Sequence, residues 1–152
     1  MYSLKVFKWL TYKEANNMPN ITNFVFCLSS GNSDGANNIN GVLSVITPEY
    51  VPGLYSFGVN FAILDLTQGP HNLCLQFMDS DDIEVASIGG ATVNYAKDPN
   101  SNLPDEYLGV NVSANFQNVN ITHSGIYFMN VILDDTNIGS FKIFVKGKNE
   151  SA

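Results

Sequence analysis

The chain contains no arginine. All seven of its basic residues are lysines, set against 14 acidic ones, for a formal charge of -7 over 152 residues. Phosphate backbones are gripped by clustered Lys and Arg, and here the bidentate guanidinium fork is missing altogether. Nucleic acid is therefore not an expected partner, and an anionic membrane surface is disfavoured for the same reason. Long apolar runs are missing too: nothing approaches the roughly 18 residues that mark a bilayer-spanning helix. The first residues, "MYSLKVFKWLTYKEANN", scatter Lys5, Lys8 and Lys13 among apolar ones and lack the charged-then-apolar order of a secretory leader. A soluble, cytoplasmic chain is expected. Cysteine is scarce, with only Cys27 and Cys74, and a reducing compartment predicts free thiols. Four Asn-x-Ser/Thr sequons, at Asn20, Asn111, Asn120 and Asn149, carry no weight in a chain with 20 asparagines and no leader. An Asn-rich, arginine-free composition is what an AT-rich genome encodes, and it points to a low-GC bacterium or one of its phages.

What the sequence has in quantity is alternation. A 45% hydrophobic content in a chain of this size builds one core and predicts one domain. In "LYSFGVNFAIL" Tyr55, Phe57, Val59, Phe61 and Ile63 share one face, the period of a strand buried on one side. The same reading places inward Phe24, Phe26 and Leu28; Leu43 and Val45; Leu73, Leu75 and Phe77; Leu108, Val110, Val112, Ala114 and Phe116; Tyr127, Met129, Val131 and Leu133; and Phe141, Ile143 and Val145. With "IEVASI" this makes about eight strands, separated by turns rich in Gly, Asn, Asp and Pro. The expected fold is all-β, a single antiparallel β-sandwich. Outward Asn111, Ser113, Asn115 and Gln117 fit a sheet with one solvated face. Residues 94–106 read as a long surface connection. Residues 18–148 are expected to form the sandwich, and 149–152 a disordered tail.

Residues 1–17 break the alternation. Lys13-Glu14-Ala15 can be encoded as a purine-rich ribosome-binding sequence just upstream of Met18, which would make Met18 the native start. The other reading is an amphipathic extension capping an open edge of the sandwich, and both stay open.

Candidate sites are few. "GPHNLCLQFMDSDD" sets His71 before Asp79, Asp81 and Asp82, three carboxylates of the kind a hard cation uses. The favoured reading is a hairpin, because Asp tolerates the left-handed conformation and bonds its own backbone. Asp79 lies about 26 Å along the strand from His71, so the two cannot share a ligand within it. His71 is expected at the inward edge of the core, bonding a loop carbonyl, and His123 in a turn with no nucleophile beside it. Cys27 and Cys74 point away from the apolar faces and are expected to be partly exposed, without a base to activate them. "SSGNSDGANN" opens no helix and is no phosphate cradle. Tyr50 and Tyr55 in "PEYVPGLY", with Tyr95 and Tyr107 around the long loop, are the candidate stacking surfaces for a small ligand or carbohydrate. No catalytic residue, cofactor or metal is expected.

The ordered pieces "NGVLSVITPEYVPG", "LYSFGVNFAI", "GPHNLCLQFMDSDD" and "GIYFMNVILDDTNIGSFKIFV" resemble an uncharacterised bacterial family of small cytoplasmic β-sandwich proteins, over residues 22–146. Asp82 stands where that family usually has Gly, Phe128 and Met129 shift its strand pattern, and residues 94–106 have no clear counterpart. The resemblance implies an immunoglobulin-like sandwich, a start near Met18, no known catalytic residues and no established ligand. Three roles are then expected in order: a non-enzymatic interaction or scaffold module with a protein partner or a homodimer through a sheet edge; a small-ligand or carbohydrate binder; and a phage-encoded inhibitor of a host defence, engaging a basic protein through its acidic surface. An enzyme ranks last.

Overall fold

A computed structural model describes residues 18–33 and 36–151. The extension at 1–17 and the choice of start lie outside the described residues. Nine strands follow in order: β1 (Asn20–Ser33), β2 (Ala36–Leu43), β3 (Val45–Ile46), β4 (Gly53–Leu64), β5 (Gly69–Met78), β6 (Glu84–Tyr95), β7 (Gly109–Ile121), β8 (Gly125–Leu133) and β9 (Thr136–Val145). They form two sheets, β2-β1-β4-β7 and β3-β9-β8-β5-β6. Among the described residues no helix is long and apolar enough to cross a membrane. The single helical piece among the described residues is the 3-10 turn Asp105–Tyr107, inside a connection that begins after Tyr95 because β6 runs to that residue.

The inward set of β4 is as expected: Phe57, Val59, Phe61 and Ile63 are buried. They face Leu73, Leu75 and Phe77 of β5 and Tyr127, Met129, Val131 and Leu133 of β8 across the sandwich. Aromatic rings knit the two sheets. Phe57 sits 4.9 Å from Phe77 and 5.2 Å from Phe116, and Phe24 stacks on Phe141 at 4.0 Å.

Four departures from simple alternation have local causes. "NGVLSVI" is two strands rather than one, because the chain bends at Ser44 and passes from one sheet to the other. There β3 pairs parallel with β9, the one exception to antiparallel order among the described strands. The phase resets at that bend, so Ile46 is buried while Val45, expected inward, is exposed. On β7 a bulge opposite Tyr55 and Phe57, with Asn118 at φ 53°, moves the inward positions from Phe116 to Val119 and Ile121. The expected tail is attached at its start: Asn149 accepts from Val51 N–H at 2.9 Å and donates back to its carbonyl at 3.2 Å, as a neighbouring strand would.

The fourth departure is the largest. Leu28, expected inward, is exposed, and Cys27, expected to be partly exposed, is 0% exposed. Beyond Leu28 the β1–β2 hairpin folds back over the outer face of its own sheet. The Asn115 side-chain amide accepts from Ser30 N–H at 3.0 Å and donates to Ser30 C=O at 2.7 Å. Ser113 donates to the Gly31 carbonyl. Asn60, buried on the outward face of β4, donates to Ser30 Oγ at 3.0 Å and Ser113 Oγ at 2.9 Å and accepts from Asn37. Outward Asn and Ser thus serve as the adhesive for a second layer of backbone. Cys27 Sγ is enclosed beneath that layer, beside Gly58 and the Asn115 amide. Cys74 carries no such cover and is half-buried.

Candidate functional site

The strand ends define two rims. One carries the Leu64 end of β4, the Gly69 end of β5 and the β8–β9 turn; the other carries the Gly53 end of β4, the β5–β6 turn and the β7–β8 corner.

At the first rim His71 is buried, at the inward edge as its strand phase predicts. Its Nε2–H donates to the Thr67 carbonyl at 2.7 Å, the expected loop carbonyl, and its Nδ1–H donates to Asp134 Oδ2 at 2.6 Å. Asp134 also accepts from Asn72 N–H through Oδ1, and its own N–H donates to the Asn72 carbonyl. The Asp134–Asp135 turn, with both residues at positive φ as a two-residue hairpin of this hand requires, is thereby clamped to β5. Both ring nitrogens face acceptors. The Thr67 carbonyl and then the Asp134 carboxylate hold the imidazole above its ordinary value of 6.5, and the Asn72 N–H and then His71 hold Asp134 below its ordinary value.

A pH dependence follows. A raised folded value means that His71 stabilises the fold fully below about pH 6.5, and that this contribution fades as pH rises through the higher folded value. Asp134 has the opposite sign, contributing above its ordinary value and losing that contribution as pH falls through its lower folded value. The unfolding temperature of the wild type is expected to fall steadily above pH 6.5, while a His71→Gln variant has a flatter profile there. Parallel curves for the two proteins would refute the charged clamp.

The four candidate tyrosines divide between the rims. Tyr50, 71% exposed, and half-buried Tyr55 line a cavity of ≈ 410 Å³ with Leu28, Leu43, Leu54 and Lys148 at the second rim. Tyr95, which is buried, lines another of ≈ 440 Å³ at the first rim, with Asp65, Gln68, Lys97 and Asp105. Tyr107 is exposed on the 3-10 turn at that same end. The length of β4, about 36 Å at the usual rise, separates the pairs, so the four tyrosines do not form one ligand surface.

The aspartates form the expected hairpin. Asp79 Oδ1 accepts from the N–H groups of Asp81 at 2.9 Å and Ile83 at 3.0 Å, and Asp82 takes the left-handed conformation at φ 59°. The unexpected neighbour is His123. The corner that carries it is fixed by Tyr127 at the start of β8, whose hydroxyl donates to the His123 carbonyl at 2.7 Å. This brings His123 Nε2 to 3.9 Å from Asp79 Oδ2. Nothing in the sequence couples residues so far apart; only the side-by-side placement of the two turns does.

Three hydroxyls stand beside a basic group: Thr122 Oγ1 lies 3.1 Å from His123 Nδ1, Thr67 Oγ1 lies 3.4 Å from His71 Nε2, and Ser124 donates to the Glu150 carboxylate. Burial pushes the Cys27 thiol up, away from the nucleophilic thiolate.

Two facing sheets with a buried tyrosine hydroxyl bonding four residues back along the chain define an immunoglobulin-like β-sandwich. The profile of the family of unknown function DUF6941 matches residues 23–146, and the chain belongs to that family. No curated protein matches the chain significantly. Among solved structures it is similar to an immunoglobulin-like protein from Pseudomonas aeruginosa, with 11% identity and a TM-score of 0.45 over 85% of this chain and 97% of that one. It is also similar to part of the alkylpurine DNA glycosylase AlkC of Pseudomonas fluorescens, with 11% identity and a TM-score of 0.42; there the match covers 84% of this chain but only 30% of the other.

Proposed function

We propose that this chain is a non-enzymatic interaction module that joins a second copy of itself through the edge of β2 that is unpaired among the described residues. The observation that carries this reading is the composition of that edge. β2 is eight residues long, "ANNINGVL", lies at the end of its sheet and has no charged residue and no proline. Those are the devices by which a solitary sandwich protects an edge, since an unpaired row of backbone N–H and C=O groups is otherwise a template for another strand. Exposed Ile39 and Val42, the latter at 67%, supply apolar contacts beside the backbone pairing. Edge-to-edge pairing about a two-fold axis is self-complementary, because each strand presents the same row of groups to its copy.

An Ile39→Lys, Val42→Lys variant tests this by placing two like charges on each copy of the edge. Sedimentation is expected to show the wild type as a dimer and the variant as a monomer, with stability changed by no more than about 0.5 kcal/mol, as for surface substitutions generally. A wild type that stays monomeric at high concentration would defeat the proposal.

A second reading rests on the cavity at Tyr50 and Tyr55, where an exposed ring stands beside a half-buried one at a scale suited to a small sugar or nucleoside. There a thermal shift with such ligands would vanish in Tyr50→Ala.

A further inference from the structure

We propose that Asp79, Asp81 and His123 bind Zn²⁺ at the second rim, clipping the β5–β6 hairpin to the corner between β7 and β8. One ligand atom from each of the three residues lies within 4.8 Å of the others. The hairpin alone accounts for Asp79 Oδ1, which takes two backbone N–H groups. It does not account for Oδ2. The Asp79 side chain is only 5% exposed, and among the described residues Oδ2 accepts no hydrogen bond; it points at His123 Nε2 across 3.9 Å. That gap is too long for a hydrogen bond. Two ligands on a tetrahedral zinc, each about 2.0–2.1 Å from the metal, stand about 3.3 Å apart. The histidine ring, 43% exposed, has room to close the difference, whereas Asp79 is held by the turn.

The imidazole is also oriented for metal. Its Nδ1 lies 3.1 Å from Thr122 Oγ1, and an Nδ1–H donated to that hydroxyl leaves the lone pair on Nε2, facing the carboxylates. The Tyr127 hydroxyl bond to the His123 carbonyl fixes the backbone behind the ring. One nitrogen and two carboxylates form a set that suits zinc among divalent cations. Ca²⁺ wants six to eight oxygens and gains nothing from an imidazole. Three protein ligands leave a fourth position for water. The aspartates on their own read as a calcium-type cluster or a plain turn, and it is the histidine from another part of the chain that selects the metal.

The test uses the untagged full-length chain, titrated with Zn²⁺ calorimetrically and with Co²⁺ by visible absorption. One equivalent is expected to bind and to raise the unfolding temperature. His123→Ala and Asp81→Asn are each expected to weaken binding more than about tenfold, because loss of even an outer-shell partner costs that much. Ca²⁺ is expected to give neither heat nor thermal shift, and Asp82→Asn to bind as the wild type does. His123→Ala alters an exposed ring, so an unchanged unfolding temperature in metal-free buffer shows that its fold is intact. Three results would overturn the proposal: no saturable Zn²⁺ uptake, uptake unchanged in His123→Ala, or uptake that disappears in Cys74→Ser, which would place the metal on the half-buried thiol instead.

Discussion

Replacing Phe57 by alanine is expected to destabilise the protein by about 3–5 kcal/mol, the range for removing a large aromatic side chain from a packed core. Phe57 is 1% exposed and is one of the rings through which the sheets meet. Its neighbours are Phe26 on β1, Tyr55 on its own strand, Phe116 on β7 and, across the sandwich, Phe77 on β5. A cavity there removes contacts from both layers at once, and the surrounding rings belong to strands whose backbones cannot collapse inward without breaking their ladders. Urea denaturation followed by fluorescence or circular dichroism measures the loss. Phe144→Ala serves as the control, since that ring is half-exposed and its removal is expected to cost far less. Equal effects at the two positions would mean that the sheets do not meet at Phe57.

The second large effect is expected at Asn60. Substitution by alanine leaves the hydroxyls of Ser30 and Ser113 and the amide of Asn37 without their shared partner, at a cost of about 1–3 kcal/mol. The consequence beyond stability is local. Asn60 is one of the points holding the β1–β2 hairpin over the outer face, and Cys27 lies beneath it. In a Cys74→Ser background the Cys27 thiol is expected to resist a water-soluble thiol reagent in the native wild type, and to react much faster once Asn60 is alanine. Rapid labelling of Cys27 in both proteins would show that the hairpin does not cover the sheet in solution.

Much of this architecture is legible in the sequence, because a strand with one buried face records that burial in its own alternation. Tyr55 to Ile63, Leu73 to Phe77 and Tyr127 to Leu133 all take the faces that their periodicity predicts. "DSDD" turns the chain by the backbone chemistry expected of aspartate, and His71 bonds the loop carbonyl that its place at a strand end requires. The candidate site was less legible. Tyr50 and Tyr55 stay together because they are neighbours in the chain, whereas Tyr95 and Tyr107 fall at the opposite rim, a separation set by the direction in which β4 runs. His123 reads as an idle turn residue until the β7–β8 corner is seen beside the β5–β6 turn.

By itself, then, the sequence determined the class of fold, most of the core and the positions of most turns, all of which depend on side chains within one strand's length of one another. Tertiary structure alone decided that Ser44 is a crossing between sheets, that Cys27 is sealed under a folded-back hairpin, and that His123 meets Asp79. Each of these depends on which surfaces come to lie together after the strands have formed. A polar outward residue such as Asn60 or Asn115 has the same local pattern whether it faces water or a second layer of backbone.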